Sequence, residues 1–317
     1  MKNIIKKLAE LLFACSLIIC VSFEIANADK SGVIKIPTHN WSSQLVGATI
    51  VGELMKMVGE KVEYIPMDSQ KVYQSMADGD IDIVHEIWEI VFGASYERAK
   101  ANGGIEEIST HDAIGRDGWW YPEYVEKVCP GMPDWKFLAE CSEKFARVDS
   151  NGKGVFFGLR DIKKHNTERV EALKMNFVVK NLESPNAIWD KLDKAVNTKK
   201  PIVIFNWSPN FIGAKYKGKF VEFPKYNTKC TTDPLWGINP NALYDCENPS
   251  IGYIKIAVNA DFKKNHPKGY KVIKQLNFST KEIDKMANYV DTEKLEVIAA
   301  AQKWLEDHKE KWRKWIE

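Results

Sequence analysis

A chain of 317 residues carrying 45 Lys and Arg against 43 Asp and Glu has a formal net charge of +2. So small an imbalance supplies no field of the kind that holds nucleic acid or an anionic membrane surface. The length suits two lobes of about 100 to 150 residues, each with its own core.

The N-terminus reads as a secretory signal peptide over residues 1–28. A basic start (Lys2, Lys6, Lys7) precedes a largely apolar run over 8–21, interrupted by Glu10, and Ala26-Asn27-Ala28 forms a small-x-small cleavage site before Asp29. The apolar run is shorter than the roughly 18 residues that a membrane span requires. Leu12-Phe13-Ala14-Cys15 is similar to a lipoprotein box but lies inside that run, so the later cleavage site fits better. The mature protein is therefore expected to be exported. Removal of the signal leaves Cys129, Cys141, Cys230 and Cys246 in an oxidising compartment. Four cysteines allow three connectivities, of which the sequence-local one pairs Cys129 with Cys141 and Cys230 with Cys246. Loops of this length are credited with about 3 kcal/mol each in the chain-entropy model. A structural zinc site competes poorly, because no Cys-x-x-Cys spacing is present.

The mature chain then alternates. Apolar patterning predicts a strand over 33–37, a helix over 42–58, a strand over 62–66, a helix over 70–77 and a strand over 81–87. Such alternation marks an α/β lobe with a parallel sheet. Residues 115–124, dense in Gly, aromatics and Pro, break the pattern and suggest the crossing to a second lobe. That lobe carries a helix over 189–196 and a strand over 201–206. A Pro, Asn and Cys-rich loop over 224–249 reads as the return crossing, followed by a strand over 251–258 and the remaining helices. Lobe I is thus expected over 29–117 plus 250–317, and lobe II over 118–223. Residues 292–317 read as one helix with Leu295, Ile298, Ala299, Gln302, Leu305 and Lys309 at helical spacing.

Two stretches about a hundred residues apart share one design. Each has a helical pattern opened by a Ser (Ser69, Ser184), a run of β-branched residues, and a Trp (Trp88, Trp207) followed shortly by Phe92-Gly93-Ala94 or Ile212-Gly213-Ala214. A residue just past a buried parallel strand lies at the carboxyl edge, where open α/β sheets bind ligands. Each lobe would then offer one indole to a shared cleft.

With His39-Asn40-Trp41-Ser42-Ser43 after the first strand, Glu86-Ile87-Trp88-Glu89 after the third, Gly118-Trp119-Trp120-Tyr121-Pro122-Glu123-Tyr124 at the crossing and Phe205-Asn206-Trp207-Ser208-Pro209, the mature chain resembles the solute-binding proteins of ABC importers. It looks most like the branch that binds glycine betaine, proline betaine and related methylated amines, with residues 129–180 fitting only loosely. The resemblance implies a two-lobed periplasmic binding protein fold, type II-like, each lobe a mostly parallel sheet flanked by helices, with the ligand in the interlobe cleft. It also implies a cage of Trp41, Trp88 and Trp207 around a quaternary ammonium or sulfonium, and delivery of the ligand to the transmembrane subunits of a permease. A periplasmic monomer without cofactor, metal or catalytic residues is expected.

The family commonly places a further Trp in the second lobe, but Gly152-Lys153-Gly154-Val155-Phe156-Phe157-Gly158 has none. Phe156 or Phe157 as a wall, or an inward-turned Trp120, remain open. Trp135 is assigned to packing against the nearby disulfide loop, and Trp236, Trp304, Trp312 and Trp315 to structural roles.

Indoles suit this ligand class physically. A quaternary ammonium has no N–H to donate, whereas each Trp face attracts it by roughly 0.5 to 2 kcal/mol. The polar end of the ligand discriminates within the class. A betaine carboxylate would use free N–H groups of the helix opening after Trp41, with the hydroxyls of Ser42 and Ser43. Acids near the cage (Glu86, Glu89, Glu123) instead suit choline or an amine oxide. Glycine betaine, trimethylamine oxide, dimethylsulfoniopropionate and choline are the candidates. The rival is a secreted carbohydrate-binding protein or glycosidase with a Trp-lined cleft and Glu86 with Glu89 as paired carboxylates. A zinc-protease reading of His85-Glu86 lacks the second His.

Overall fold

A computed structural model describes residues 32–160, 165–249 and 252–317. The expected signal peptide lies outside the described residues, and so does the start of the strand expected from residue 251. In chain order the strands are β1 (Ile34–Thr38), β2 (Val62–Pro66), β3 (Ile83–Trp88), β4 (Ile105–Pro122), β5 (Gly154–Leu159), β6 (Phe177–Leu182), β7 (Val203–Ser208), β8 (Gly218–Phe220) and β9 (Gly252–Asn259). The helices are α1 (Ser42–Met57), α2 (Val72–Ala77), α3 (Glu89–Ala101), α4 (Trp135–Glu140), α5 (Asn166–Ala172), α6 (Pro185–Thr198), α7 (Phe211–Lys215), α8 (Phe262–Asn265), α9 (Pro267–Gln275), α10 (Thr280–Asp291), α11 (Val297–Asp307) and α12 (Lys309–Ile316).

β1 and β2 pair in parallel, and the other strands form one mixed sheet in the order β3-β9-β4-β7-β5-β6, with β8 on β4. β5 runs parallel to both β6 and β7. Every pair involving β4 or β9 is antiparallel, so the sheet is less parallel than the βα alternation suggests. The reason is β4. Its first part, Ile105 to Gly115, pairs with β9, and Arg116 to Trp120 pair with β7. A single strand therefore carries the chain from one core to the other, where the sequence suggested a break in the pattern. Period-2 burial runs straight through: His111, Ala113, Gly115, Asp117 and Trp119 are buried, while Asp112 and Ile114 are exposed.

Two hydrophobic clusters lie on either side. One gathers residues from Ile34 to Ala113 with Ile254 to Trp315, and the other gathers Trp119 to Phe223 plus Ala287 from α10. Where β4 crosses, Gly115 faces Gly252 of β9. A Cβ at Gly252 would lie 1.9 Å from Ile90 and one at Gly115 3.0 Å from the Trp88 ring, so the missing side chains let Trp88 seat directly against the crossing strand.

The C-terminal expectation needs correcting. Residues 297–316 form two helices, α11 and α12, separated at His308 (φ −119°, ψ 28°). Their buried side is Ala300, Ala301, Trp304 and Leu305, then Trp312 and Trp315, while Ile298 is 65% exposed. The large indoles outweigh a single Ile in choosing the face: Trp304 meets Phe278 edge-on at 5.3 Å and stacks on His308 at 4.3 Å.

Cys129 pairs with Cys141 (Cα–Cα 6.0 Å) and Cys230 with Cys246 (6.2 Å). Both distances fall in the range that a disulfide bridges without backbone movement. Non-reducing peptide mapping of exported protein should recover these two links. Recovery of free thiols, or of a crossed pairing, would contradict the fold as drawn.

Candidate functional site

Trp41 caps the N-terminus of α1, and Trp88 ends β3 and caps α3. β1 and β3 thus deliver both indoles to one edge of the first lobe. Trp207 is the fifth residue of β7, paired across β4 with Asp117 next to the crossing, so it comes from the second lobe. All three line one cleft of about 510 Å³, within the roughly 300 to 1,000 Å³ typical of small-molecule sites. His39, Met67 and Phe92 extend the first-lobe wall, and Leu159, Pro185 and Phe205 build the wall opposite.

The indoles are held from behind. Oε1 of Glu86 accepts hydrogen bonds from Trp41 Nε1 (2.8 Å) and Trp88 Nε1 (2.7 Å), with Ser43 Oγ at 3.4 Å. Neither ring can turn without leaving a buried donor unpaired, which costs about 1 to 3 kcal/mol. Trp41 is further packed between His39 (5.0 Å, 24°) and Phe92 (6.4 Å, 19°). On the other lobe Trp207 leans on Trp189 (5.4 Å) and Phe205 (5.9 Å).

Electrostatics favour a cation. Glu86 is buried, and burial raises its pKa, opposed by the indole and hydroxyl donors that stabilise the charged form. His85 Nε2 stands 3.9 Å from Glu86 Oε2. Burial, then the neighbouring His111 and His39, drive the pKa of His85 well down, so it stays neutral and does not cancel the carboxylate. The pKa of His39 is also lowered by burial. Around the mouth lie Thr38, Asn40, Ser69 and Gln70, with the acids Asp68 and Glu183, and among the described residues no Lys or Arg lines the cleft. Glu183 is ion-paired to Arg160.

Several expected site residues lie elsewhere. Phe156 is fully buried and stacks on Trp119 (3.9 Å, 7°) inside the second core. Trp120 is buried over Gly218, where a Cβ would lie 2.0 Å from its ring. Both are core residues because β5 and the end of β4 are buried on both faces, so consecutive side chains pack inside. Glu123 is exposed at the start of the short turn Glu123–Lys127 and does not reach the cleft. The Ser42 hydroxyl donates to Asp291 (2.6 Å) and borders a separate cavity of about 30 Å³. Phe205 and Phe92 go unnamed as walls in the sequence reading, although a signal existed. Phe205 shares the strand face of Trp207 at spacing two, and Phe92 lies one helical turn beyond Trp88.

The geometry gives the glycosidase reading no support. Glu86 is committed to two indoles, and Glu89 binds the Tyr253 backbone N–H (3.2 Å) and Lys255 (3.2 Å). Among the described residues the acids that line the cleft are Asp68 and Glu183, and Glu183 is ion-paired to Arg160, so they offer no free carboxylate pair. Among the described residues no cluster of His, Cys, Asp and Glu is placed to hold a metal ion, and no helix is long and apolar enough to cross a membrane.

Residues 32–307 match the model of the substrate-binding domain of ABC-type glycine betaine transport systems. The chain belongs to this family. It is a solute-binding component of an ABC importer. Over 322 aligned residues it is 37% identical to the trimethylamine N-oxide-binding protein of Pelagibacter ubique, covering 97% of this chain and 98% of that one. Among solved structures it is similar to an ABC-transporter choline-binding protein in complex with choline (TM-score 0.67, 16% identity, 90% of this chain and 92% of that one). It is also similar to lactococcal OpuAC in its closed form with glycine betaine (TM-score 0.65, 18% identity, 90% and 99%). These two likenesses carry the fold: two lobes with a cleft between them.

Proposed function

We propose that the protein captures a small methylated amine that lacks a carboxylate, trimethylamine oxide foremost, in the periplasm and hands it to its permease as a monomer, without chemistry of its own. The observation that carries this reading is the charge of the cleft. Two of the three cage indoles, Trp41 and Trp88, stand over the Glu86 carboxylate, Trp207 faces them across the cleft, and among the described residues no Lys or Arg lines the walls to neutralise a ligand carboxylate. A betaine would bring its carboxylate toward Asp68, with Glu183 already paired to Arg160; an amine oxide brings a single compact oxygen, a strong acceptor that the hydroxyls and amides of Thr38, Ser69, Asn40 and Gln70 can serve. The relative named for trimethylamine N-oxide supports the same choice.

The ligand has only three methyl groups, one nitrogen and one oxygen, so it underfills an opening of 510 Å³. Lobe approach must bring Trp207 onto it. A thermal-shift and calorimetry panel of trimethylamine oxide, choline, glycine betaine, dimethylsulfoniopropionate, glycine and a sugar tests the reading. Trimethylamine oxide should bind and stabilise by about 2.7 kcal/mol at a hundredfold excess over its Kd. Glycine betaine should bind at least about tenfold more weakly, the scale of one unpaired buried polar contact. Glycine should bind more weakly still, because an ammonium bearing N–H groups loses strong hydration and finds few acceptors among rings. Tighter binding of glycine betaine, or binding of the sugar alone, would overturn the assignment.

A further inference from the structure

Helix α10 belongs to the first lobe by packing on α1 and α11, yet it also packs on α7 of the second lobe. One face makes these contacts. Asp284, Ala287 and Asp291 recur at spacings of three and four, so they line up along the helix. Ala287 is buried among second-lobe side chains. Asp291 accepts the Ser42 hydroxyl at 2.6 Å, and Ser42 is the residue next to Trp41. The Asp284 carboxylate faces the backbone N–H of Asn210, three residues beyond Trp207, and its Oδ1 is buried without a hydrogen-bond partner in the described structure. Between them lies the 30 Å³ cavity, bordered by Trp41, Trp207, Asn210, Ala287 and Asp291. That is room for about one water.

Neither acid lines the main cleft. What the two acids share is attachment to the two segments that carry opposing cage walls. We propose that this face of α10 sets the spacing of the cage across the lobes, with Asp291 positioning Trp41 through Ser42 and Asp284 positioning Trp207 through Asn210. The rings themselves make the ligand contact; Asp284 and Asp291 act through the backbone segments that bear them.

The inference concerns wall spacing and is independent of which methylated amine is bound, so both trimethylamine oxide and glycine betaine serve as probes. In protein labelled with 5-fluorotryptophan, with resonances assigned by single Trp→Phe changes, Asp284→Ala should shift the ligand-free Trp207 signal and Asp291→Ala that of Trp41. Trp304 and Trp315 should stay in place. Each Ala variant should weaken the tighter-binding probe by about tenfold, the effect of losing a hydrogen bond to a charged group. Asp284→Asn and Asp291→Asn retain a carbonyl acceptor and should restore both signal and affinity. Ala287→Leu, which wedges α10 away from the second core, gives an independent arm and should weaken binding without removing any polar group. Unmoved Trp41 and Trp207 resonances in the Ala variants would overturn the inference whatever the ligand proves to be. So would equal losses in the Ala and Asn variants.

Discussion

Trp88→Ala and Trp207→Ala should each weaken binding of a trimethylated ligand by about tenfold or more, because one indole face contributes roughly 0.5 to 2 kcal/mol and tenfold is 1.4 kcal/mol. The two losses have different accompaniments. Trp88 is 5% exposed, wedged against Gly115 and bonded to Glu86, so its removal leaves a cavity and an altered partner, and stability falls too. Trp207 is only half-buried, so its removal should act mainly on the ligand. Controls need choosing by burial. Trp312 lies outside the cleft but is buried, with its Nε1 donating to the Leu305 carbonyl (2.7 Å). Its truncation costs about 3 to 5 kcal/mol of stability while leaving the affinity of folded protein unchanged. Trp236→Phe, in the loop between Cys230 and Cys246, is the gentler control. Calorimetry on protein shown to be folded decides the matter: unchanged affinity in both cage variants would remove the cage.

Replacing Glu86 separates orientation from charge. Glu86→Gln keeps one oxygen able to accept from the two indole N–H groups but removes the negative charge beneath them, and affinity for the onium should fall about tenfold. Glu86→Ala strands both buried donors, at about 1 to 3 kcal/mol each, and should abolish measurable binding at ligand concentrations that saturate the wild type. The pH dependence has a definite sign. Burial raises the Glu86 pKa above the ordinary carboxylate value, so on acidification it takes up its proton earlier than a surface glutamate would. A bound cation favours the ionised form, binding therefore releases a proton, and affinity falls as pH drops through that raised value. Stability responds oppositely. With the folded pKa above the unfolded one, the folded state binds the extra proton between the two values, so Glu86's burial penalty is absent at low pH and sets in as pH rises through that window. His39, neutral through burial, would also repel the ligand once protonated. The Gln variant isolates the glutamate: its affinity should be flatter with pH than the wild type's, and an identical profile in both would assign the effect to His39 instead.

Much of the first lobe could be read from the chain itself. β2 falls on 62–66 as patterned, and α1 ends within a residue of expectation, because β-branched runs and a 3.6-residue apolar period are local properties. The placement of Trp41, Trp88 and Trp207 was legible for a related reason: each lies at or within a few residues of a strand's carboxyl end, and such ends of an α/β sheet share an edge whatever packs around them. Short cysteine spacings made the local pairing the natural choice. What tertiary structure alone decided is which surfaces meet. Period-2 alternation leaves one face of a strand free to meet a ligand, but β5 and the end of β4 are covered on both faces, so Trp120 and Phe156, open candidates by pattern, are both core. A carboxylate in a buried strand reads as a threat to an anionic ligand or a help to a cationic one. Only the packing of β3 against α1, bringing Trp41 to Glu86 across 45 residues of chain, makes it the acceptor that orients two indoles. The same holds for α10. Its sequence is an ordinary amphipathic helix, and its hold on Ser42, 249 residues earlier, exists only because the chain returns from the second lobe and lays that helix across the boundary, where contacts between distant segments are set by topology and shape rather than by any local period.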